Sequence, residues 1–241
     1  MPTSEDGAAS EKAISNINNS SDYFPQDNIS HRNGHWGAGP IHPRGLFFKR
    51  LTDLCFASAL SLALAPFMLL IAVAIKLDSL GPILYTAPRI GRRGRRFLCY
   101  KFRTMIADAN QLKGELRHLN ERNGATFKIS NDPRVTLVGR FLRKYSLDEL
   151  PQLFNVLQGT MSMVGPRLHP IEDCDQYEPE DFRRLQVQPR ITGLWQVTAR
   201  RNPSFRKNVE LNLEYISTWN ILLDMKILVR TIPEVFRGNG H

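Results

Sequence analysis

The feature that most constrains this chain is an uncharged run of 22 residues, Leu54 to Ile75, with Pro66 inside it. As a straight helix the run would extend about 33 Å at ~1.5 Å per residue, which matches the ~30 Å hydrocarbon core of a bilayer. Two features bear on whether it crosses. Pro66 removes a backbone hydrogen bond and clashes with the preceding turn, although membrane helices tolerate proline better than soluble ones. The flanks are basic on both sides: Arg44, Lys49 and Arg50 precede the run, and Lys76, Arg89, Arg92, Arg93, Arg95 and Arg96 follow it. Basic residues favour the cytoplasmic face, so a crossing segment should carry them unequally at its two ends. A helix bent at Pro66 that enters one leaflet and returns satisfies both observations, because its arms of 12 and 9 residues are each too short to cross. On these residues alone, a kinked span and a re-entrant helix both stand.

The chain divides around this segment. Residues 1–45 are rich in Ser, Asn, Gly, Asp and His and too poor in apolar residues to organise a core, which predicts a disordered tail without an apolar leader. His31, His35 and His42 lie in it at irregular spacing and read as a chance grouping, not a metal site. Residues 46–78 form the membrane helix, and 79–241 read as one cytoplasmic domain. The three cysteines, Cys55, Cys99 and Cys174, are scattered and odd in number, which argues against a disulfide framework or a zinc motif. A formal charge of +9 favours anionic partners.

Within the third region, Pro82–Tyr85 and Phe97–Arg103 read as short strands, with Gly91 and Gly94 suited to a hairpin turn between them. The arginines of that turn adjoin the membrane helix, so lipid head groups are the expected anion. Val138, Phe141, Leu142 and Tyr145 recur at helical spacing with Arg140, Arg143 and Lys144 off the stripe, a basic amphipathic helix suited to a membrane surface. A second apolar stripe, Leu222, Leu223, Ile227, Leu228 and Ile232, predicts either an interfacial helix or a core one.

Immediately after the basic helix stands Ser146-Leu-Asp148-Glu149-Leu-Pro151-Gln152. By itself it fits an S-x-x-E capping box in which Ser146 and Glu149 satisfy each other's orphan backbone donors; Asp148 could also serve as the cap. Two adjacent carboxylates behind Arg140, Arg143 and Lys144 also suit an acid that acts on a phosphate, since cations must hold an anionic substrate against an anionic nucleophile. Gly165-Pro166-Arg167, after an apolar run, is a rigid turn displaying an arginine whose fork matches phosphate. Walker, dinucleotide-binding and HExxH motifs are missing from the sequence.

Taken in order, these segments resemble the bacterial sugar transferases of the monotopic phosphoglycosyl transferase family. The matching pieces are Lys49-Arg50-Leu-Thr-Asp53 before the apolar helix, Lys101-Phe-Arg103-Thr-Met105, Asn131-Asp-Pro-Arg134 and Leu142 to Gln152. Then come Met163-Val-Gly165-Pro166-Arg167, Thr192-Gly-Leu-Trp195-Gln-Val197 and Asp224-Met-Lys226-Ile-Leu228. Leu168 stands where many members have proline, and Ala199 where a glycine is usual before Arg200. The resemblance implies transfer of sugar-1-phosphate from a UDP-sugar to polyprenyl (undecaprenyl) phosphate, with release of UMP and with Mg2+, at the cytoplasmic face of the bacterial plasma membrane. It implies Asp148 as a nucleophile forming a phosphosugar intermediate, and Glu149 as its partner, the two acids also serving as metal ligands. Arg103, Arg143, Gly165-Pro166-Arg167 and Arg200 are implied at the phosphates and nucleotide. It favours re-entry at Pro66. The fold so expected is α+β and helix-rich: a monotopic membrane protein with a Pro-broken re-entrant helix, interfacial amphipathic helices and a small β element. Membrane phospholipids are an expected partner and nucleic acid is not. A basic membrane-anchored binding or scaffold protein would explain the charge, but gives no reason for the setting of the acid pair. Asp148 cannot both cap and attack, so Ser146 is expected to be the cap.

Overall fold

The computed structural model describes residues 43–119, 129, 131–169, 180–200 and 204–238. The tail with its three histidines, and Cys174, lie outside the described residues. The first element, helix α1 (Pro43–Asp78), holds the apolar run. Pro66 lies inside it and the helix continues on the far side, so the expected break is a proline accommodated within one continuous helix. Among the described residues α1 is the one helix that is long and apolar enough to cross a membrane, and little of its apolar stretch is buried.

Both ends of α1 are fastened to the same body. Near its start, Lys49 pairs with Asp224 at 2.8 Å with both side chains buried. Asp53 accepts a hydrogen bond from the Met163 backbone N–H at 3.0 Å. Arg50 donates to the carbonyls of Val156 (2.6 Å) and Leu157 (2.9 Å), and Ala57 enters the main apolar core. At the other end Ile71 and Ile75 pack with Phe102 and Leu142 in a second cluster, and Asp78 accepts from the Val138 N–H at 3.1 Å. Between these anchors Leu62, Phe67, Leu69 and Leu70 are exposed. Contiguous apolar side chains of this size are unfavourable in water and are met by an apolar medium or partner.

After α1, strands β1 (Leu84–Ile90) and β2 (Arg96–Phe102) form the predicted hairpin, antiparallel from Leu84↔Phe102 to Ile90↔Arg96. The turn between them needs left-handed backbone at Arg93 (φ 57°) and Gly94 (φ 74°). Helix α2 (Leu137–Lys144) follows, its first turn capped by Thr136, whose hydroxyl accepts the Gly139 N–H at 3.0 Å. α2 buries Gly139 and Leu142 and leaves Leu137 and Phe141 exposed, so its apolar residues divide between body and exterior.

Helix α3 (Gln152–Gln158) ends at Gly159, whose φ of 82° suits a residue without a Cβ. Arg50 supplies the capping donors to its last carbonyls. Strands β3 (Ser162–Val164) and β4 (Arg190–Thr192) pair in parallel, Ser162 opposite Arg190 and Val164 opposite Thr192. The short helix α4 (Leu194–Thr198), then α5 (Phe205–Thr218) and α6 (Ile221–Phe236) complete the body. Ser204 caps α5 and Asn220 caps α6. α6 divides its stripe between core and exterior: Ile227 is buried, Leu223 and Leu228 pack on the core, and Leu222, Val229, Ile232 and Phe236 are exposed. The main core joins Ala57, Phe97, Cys99, Leu153, Val156 and Ile227.

One buried amide ties β2 to α3. Asn155 accepts the Tyr100 N–H at 2.9 Å and donates to the Leu98 carbonyl at 2.7 Å, which fixes the strand at one register along the helix. Asn155→Leu keeps the volume but strands two strand-backbone groups and should lower the unfolding free energy by about 2–4 kcal/mol. Chemical denaturation of the protein in detergent measures it, and a loss under about 1 kcal/mol would mean that the clamp is dispensable.

Candidate active site

The acid pair sits on a short 3-10 turn, Leu147–Glu149, between α2 and α3. The chain leaves α2 at Ser146, whose φ of 57° places it in the left-handed region, unusual for a residue with a Cβ. This corrects the expectation that Ser146 is the cap. A capping serine has extended backbone, from which its hydroxyl reaches the N–H two or three residues on. Left-handed Ser146 makes no such bond, and its Oγ accepts a hydrogen bond from Arg200 at 2.7 Å. Nor does Asp148 cap a helix: α3 begins after Pro151, which has no N–H to satisfy. Both carboxylates are therefore left to their side-chain partners. Strain of this kind is held only where surrounding contacts over-determine it, and it gathers at functional sites.

Lys101 is the partner both acids share. Its Nζ lies 2.8 Å from Glu149 Oε1 and 3.3 Å from Asp148 Oδ2. It comes from β2, where side chains alternate between faces, so Lys101 shares the side of Phe97 and Cys99, both of which point into the core. Asn155 holds that strand in place, and so holds the ammonium against the acids. Arg143, at the end of α2, donates from Nε to Thr104 Oγ1 at 2.9 Å and acts electrostatically on Asp148.

The two acids differ in kind. Burial pushes Asp148 above the ordinary carboxylate range, and neighbouring Glu149 adds to that, against the opposing pull of Lys101 and Arg143. Burial also acts upward on Glu149, but Lys101, then Arg167 and Arg190, outweigh it and hold this carboxyl below its ordinary value. The ammonium of Lys101 is held strongly protonated by both acids despite its burial. The result is one buried carboxylate whose charge is disfavoured beside another whose charge is secured, the pattern that separates two roles within an acid pair.

Gly165-Pro166-Arg167 leaves β3 and passes beside β4. Gly165 N–H donates to Thr192 O at 3.1 Å, and Arg167 N–H donates to Asn212 Oδ1 at 3.0 Å. The Arg167 guanidinium lies over the Trp195 ring, 4.4 Å from its centroid, a cation–π contact that orients its planar fork. Arg190, at the start of β4, is buried, and its N–H groups belong to the same cation cluster around Glu149.

Of the sequence-predicted residues, the fold brings together Asp148, Glu149, Arg143 and Gly165-Pro166-Arg167, with Arg200 joined through Ser146. Arg103 goes elsewhere. Its guanidinium is buried and donates to the carbonyls of Leu80 and Ser79, each at 2.6 Å, and to Ser79 Oγ at 3.0 Å. These bonds close off the end of α1, so the guanidinium stands with the helix end and not with the cations that act on the acid pair. The Asp132-Pro133-Arg134 motif folds on itself, Asp132 accepting from the Arg134 backbone N–H, Nε and Nη2. Pro66 lies in the exposed part of α1. Sequence reasoning missed Lys101 and Arg190 as site residues. For Lys101 a signal existed: a lysine in step with the buried face of a strand needs an anionic partner.

Among the described residues no three His, Cys, Asp or Glu side chains group as a metal cage. The two adjacent carboxylates do fit a magnesium ion of the kind that takes one or two protein carboxylates and completes its shell with substrate phosphate and water.

The family model described as bacterial sugar transferase matches residues 44–238. The exopolysaccharide production protein ExoY of Rhizobium meliloti is 39% identical over 206 residues, covering 84% of this chain and 91% of that protein. The galactosyl transferase CpsE of Streptococcus agalactiae is 41% identical over 196 residues, 81% of this chain but 43% of the relative. An undecaprenyl-phosphate glucose phosphotransferase of Komagataeibacter xylinus is 42% identical over 213 residues, 83% of this chain and 38% of its own length. The chain thus spans nearly all of ExoY and less than half of the other two.

Proposed function

Because the chain belongs to the bacterial sugar transferase family, we propose that it transfers sugar-1-phosphate from a UDP-sugar to polyprenyl phosphate at a membrane surface. The observation that carries this reading is the acid pair itself: a buried, charge-disfavoured Asp148 beside an ionised Glu149, ringed by Lys101, Arg143, Arg167 and Arg190. Cations in this number exceed what two carboxylates need and suit a diphosphate. The exposed apolar centre of α1, the outer faces of α2 and α6 and the basic hairpin turn together suit a body seated on a bilayer. With both ends of α1 fastened to one body, both ends lie on one side of the membrane, the cytoplasmic one, and the exposed centre of the helix is the part that meets the lipid.

In this mechanism a carboxylate oxygen of Asp148 attacks the phosphorus that carries the sugar. The bond from that phosphorus to the bridging oxygen breaks, and UMP leaves with the electron pair. Arg143 and Lys101 offset the charge gathered at the phosphoryl oxygens, while Arg167 stands on the nucleotide side. A phosphate oxygen of the polyprenyl acceptor then attacks the same phosphorus, the acyl-phosphate bond to Asp148 breaks, and the carboxylate is restored. Asp148 and Glu149 would hold magnesium, which supplies further neutralisation of phosphate charge. Covalent transfer lets a soluble donor and a lipid acceptor use one site in turn.

The test is release of UMP from a panel of UDP-sugars by purified protein in lipid nanodiscs containing undecaprenyl phosphate. UDP-glucose and UDP-galactose head the panel, since relatives are named for those sugars. Release that depends on both donor and acceptor is expected. No release with any donor would favour a binding or scaffold protein.

A further inference from the structure

Arg190 is a buried charge whose partners among the described residues do not account for it. Only 4% of the residue is exposed, and its Nη1 donates to the Ile191 carbonyl at 3.2 Å. Nε and Nη2 are buried and have no hydrogen-bond partner among the described residues. Those two nitrogens form one edge of the guanidinium, the edge whose parallel N–H groups match two oxygens of a phosphate. Leaving charged donors unpaired in a low-dielectric site is strongly unfavourable, and native structures rarely do so without a reason. The neighbours raise the demand for an anion. Arg167 and Arg184 both act on Arg190 as like charges, and burial with that repulsion lowers its pKa to about 9, still protonated at neutral pH. Trp195 Nε1, on the ring beneath Arg167, is a third buried donor without a hydrogen-bond partner among the described residues.

The backbone around Arg190 is shaped to keep it there. A Cβ on Gly193 would stand 2.4 Å from Arg190 Nε and 2.3 Å from the Gly165 carbonyl oxygen, so any side chain at 193 would displace the guanidinium. β3 and β4 pair through Ser162↔Arg190, which places Arg190 beside the Gly165-Pro166-Arg167 turn, and Arg167 itself bridges to Arg190. Glu149 is in electrostatic reach of both arginines, Lys101 lies between the two acids, and Arg143 acts on Asp148.

We propose that the Nε–Nη2 edge of Arg190 is the ligand for the nucleotide phosphate of the donor, the one that departs as UMP. The assignment rests on the function proposed above. The donor's diphosphate then lies across the acid pair, with the attacked phosphorus by Asp148 and the departing phosphate between Arg167 and Arg190. Both nitrogens are shielded from solvent in this structure, so the phosphate reaches them with a shift of side chains at the Gly165–Arg167 turn, where Arg167 is exposed. Because the contact is made to the group that leaves, it holds UMP after the first step as well as the donor before it.

The experiment measures binding of UMP, uridine and a short-chain polyprenyl phosphate to the full chain in nanodiscs, for wild type, Arg190→Gln and Arg190→Lys. Arg190→Gln should weaken UMP by about 30-fold or more and leave uridine and polyprenyl phosphate within about twofold. Arg190→Lys, which keeps the charge but loses the fork, should weaken UMP by about tenfold. Unchanged UMP affinity in a folded Arg190→Gln protein overturns the assignment, as does a loss confined to polyprenyl phosphate. If both variants fail to fold, wild type labelled at arginine Nε decides: one buried Nε–H resonance should shift with UMP and not with uridine, and no shift overturns the proposal. Wild type that binds no UMP at all would sink the nucleotide-donor reading itself, whereas UMP binding indifferent to Arg190 would remove only this residue.

Discussion

Asp148→Asn is expected to abolish sugar-phosphate transfer, lowering turnover by about 10⁴-fold or more, since removing a covalent nucleophile leaves only the residual effect of binding and charge. The amide is nearly isosteric and keeps a hydrogen-bonding oxygen toward Lys101, so UMP binding and membrane association should survive. The wild-type counterpart is a phosphosugar adduct on Asp148, sought by mass spectrometry after rapid quench with donor alone. Turnover above about one-tenth of wild type in pure Asp148→Asn protein would remove the nucleophile from this residue.

The same variant carries a stability prediction whose sign follows from the raised pKa. Folding lifts Asp148 above its ordinary 3.8, so the folded protein holds that proton more tightly than the unfolded chain does. Ionised Asp148 therefore subtracts stability at neutral pH, and the subtraction fades as pH falls through the raised value and is gone below the unfolded one. Asp148→Asn should be at least as stable as wild type at pH 7, with the difference shrinking in acid. Glu149 has the opposite sign: its pKa is lowered from 4.5, so its ionised form adds stability at neutral pH that is lost as pH falls through the depressed value. Thermal unfolding of Asp148→Asn and Glu149→Gln from pH 8 down to about 3 separates the two carboxylates. An Asp148→Asn protein clearly less stable than wild type at pH 7 would contradict the strained-charge account.

Lys101→Met is the second large effect. It removes the ammonium that lies 2.8 Å from one carboxylate and 3.3 Å from the other. Two buried acids without that cation resist joint ionisation, so Asp148 should rise further. The acidic limb of the kcat/KM profile, which reports the free enzyme, should move to higher pH, and the plateau should fall by about 10²–10³-fold. Lys101→Arg should restore part of the plateau and most of the limb. A profile whose limb does not move, whatever the plateau does, would show that Lys101 serves only the fold.

Much of the architecture was legible before any coordinates. The uncharged run, the hairpin with Gly91 and Gly94, and the amphipathic stretches before Tyr145 and after Ile221 are local signals, because hydrophobic periodicity and turn chemistry act over a few residues. The acid pair was legible for a different reason: adjacent carboxylates behind a cationic helix are an unusual local concentration of opposite charge. Its cap was misread for an instructive one. Ser146 and Glu149 have the spacing of a capping box, but the chain turns left-handed at Ser146 and the next helix starts only after Pro151, so the hydroxyl faces Arg200.

The destinations of the charged side chains are what the tertiary structure decided. Arg103 and Lys101 are two residues apart on one strand-like segment, yet one straps the end of the membrane helix and the other bridges the acids. Lys49 finds Asp224, 175 positions away, and Arg200 finds Ser146, 54 positions away. The sequence by itself determined which segments are apolar, which turn, and where two carboxylates meet a basic helix. Which cation faces which acid, and that Arg190 is buried with an open edge, depend on long-range packing: a charge's partner is set by the surfaces folded against it, and its neighbours in the chain do not report it.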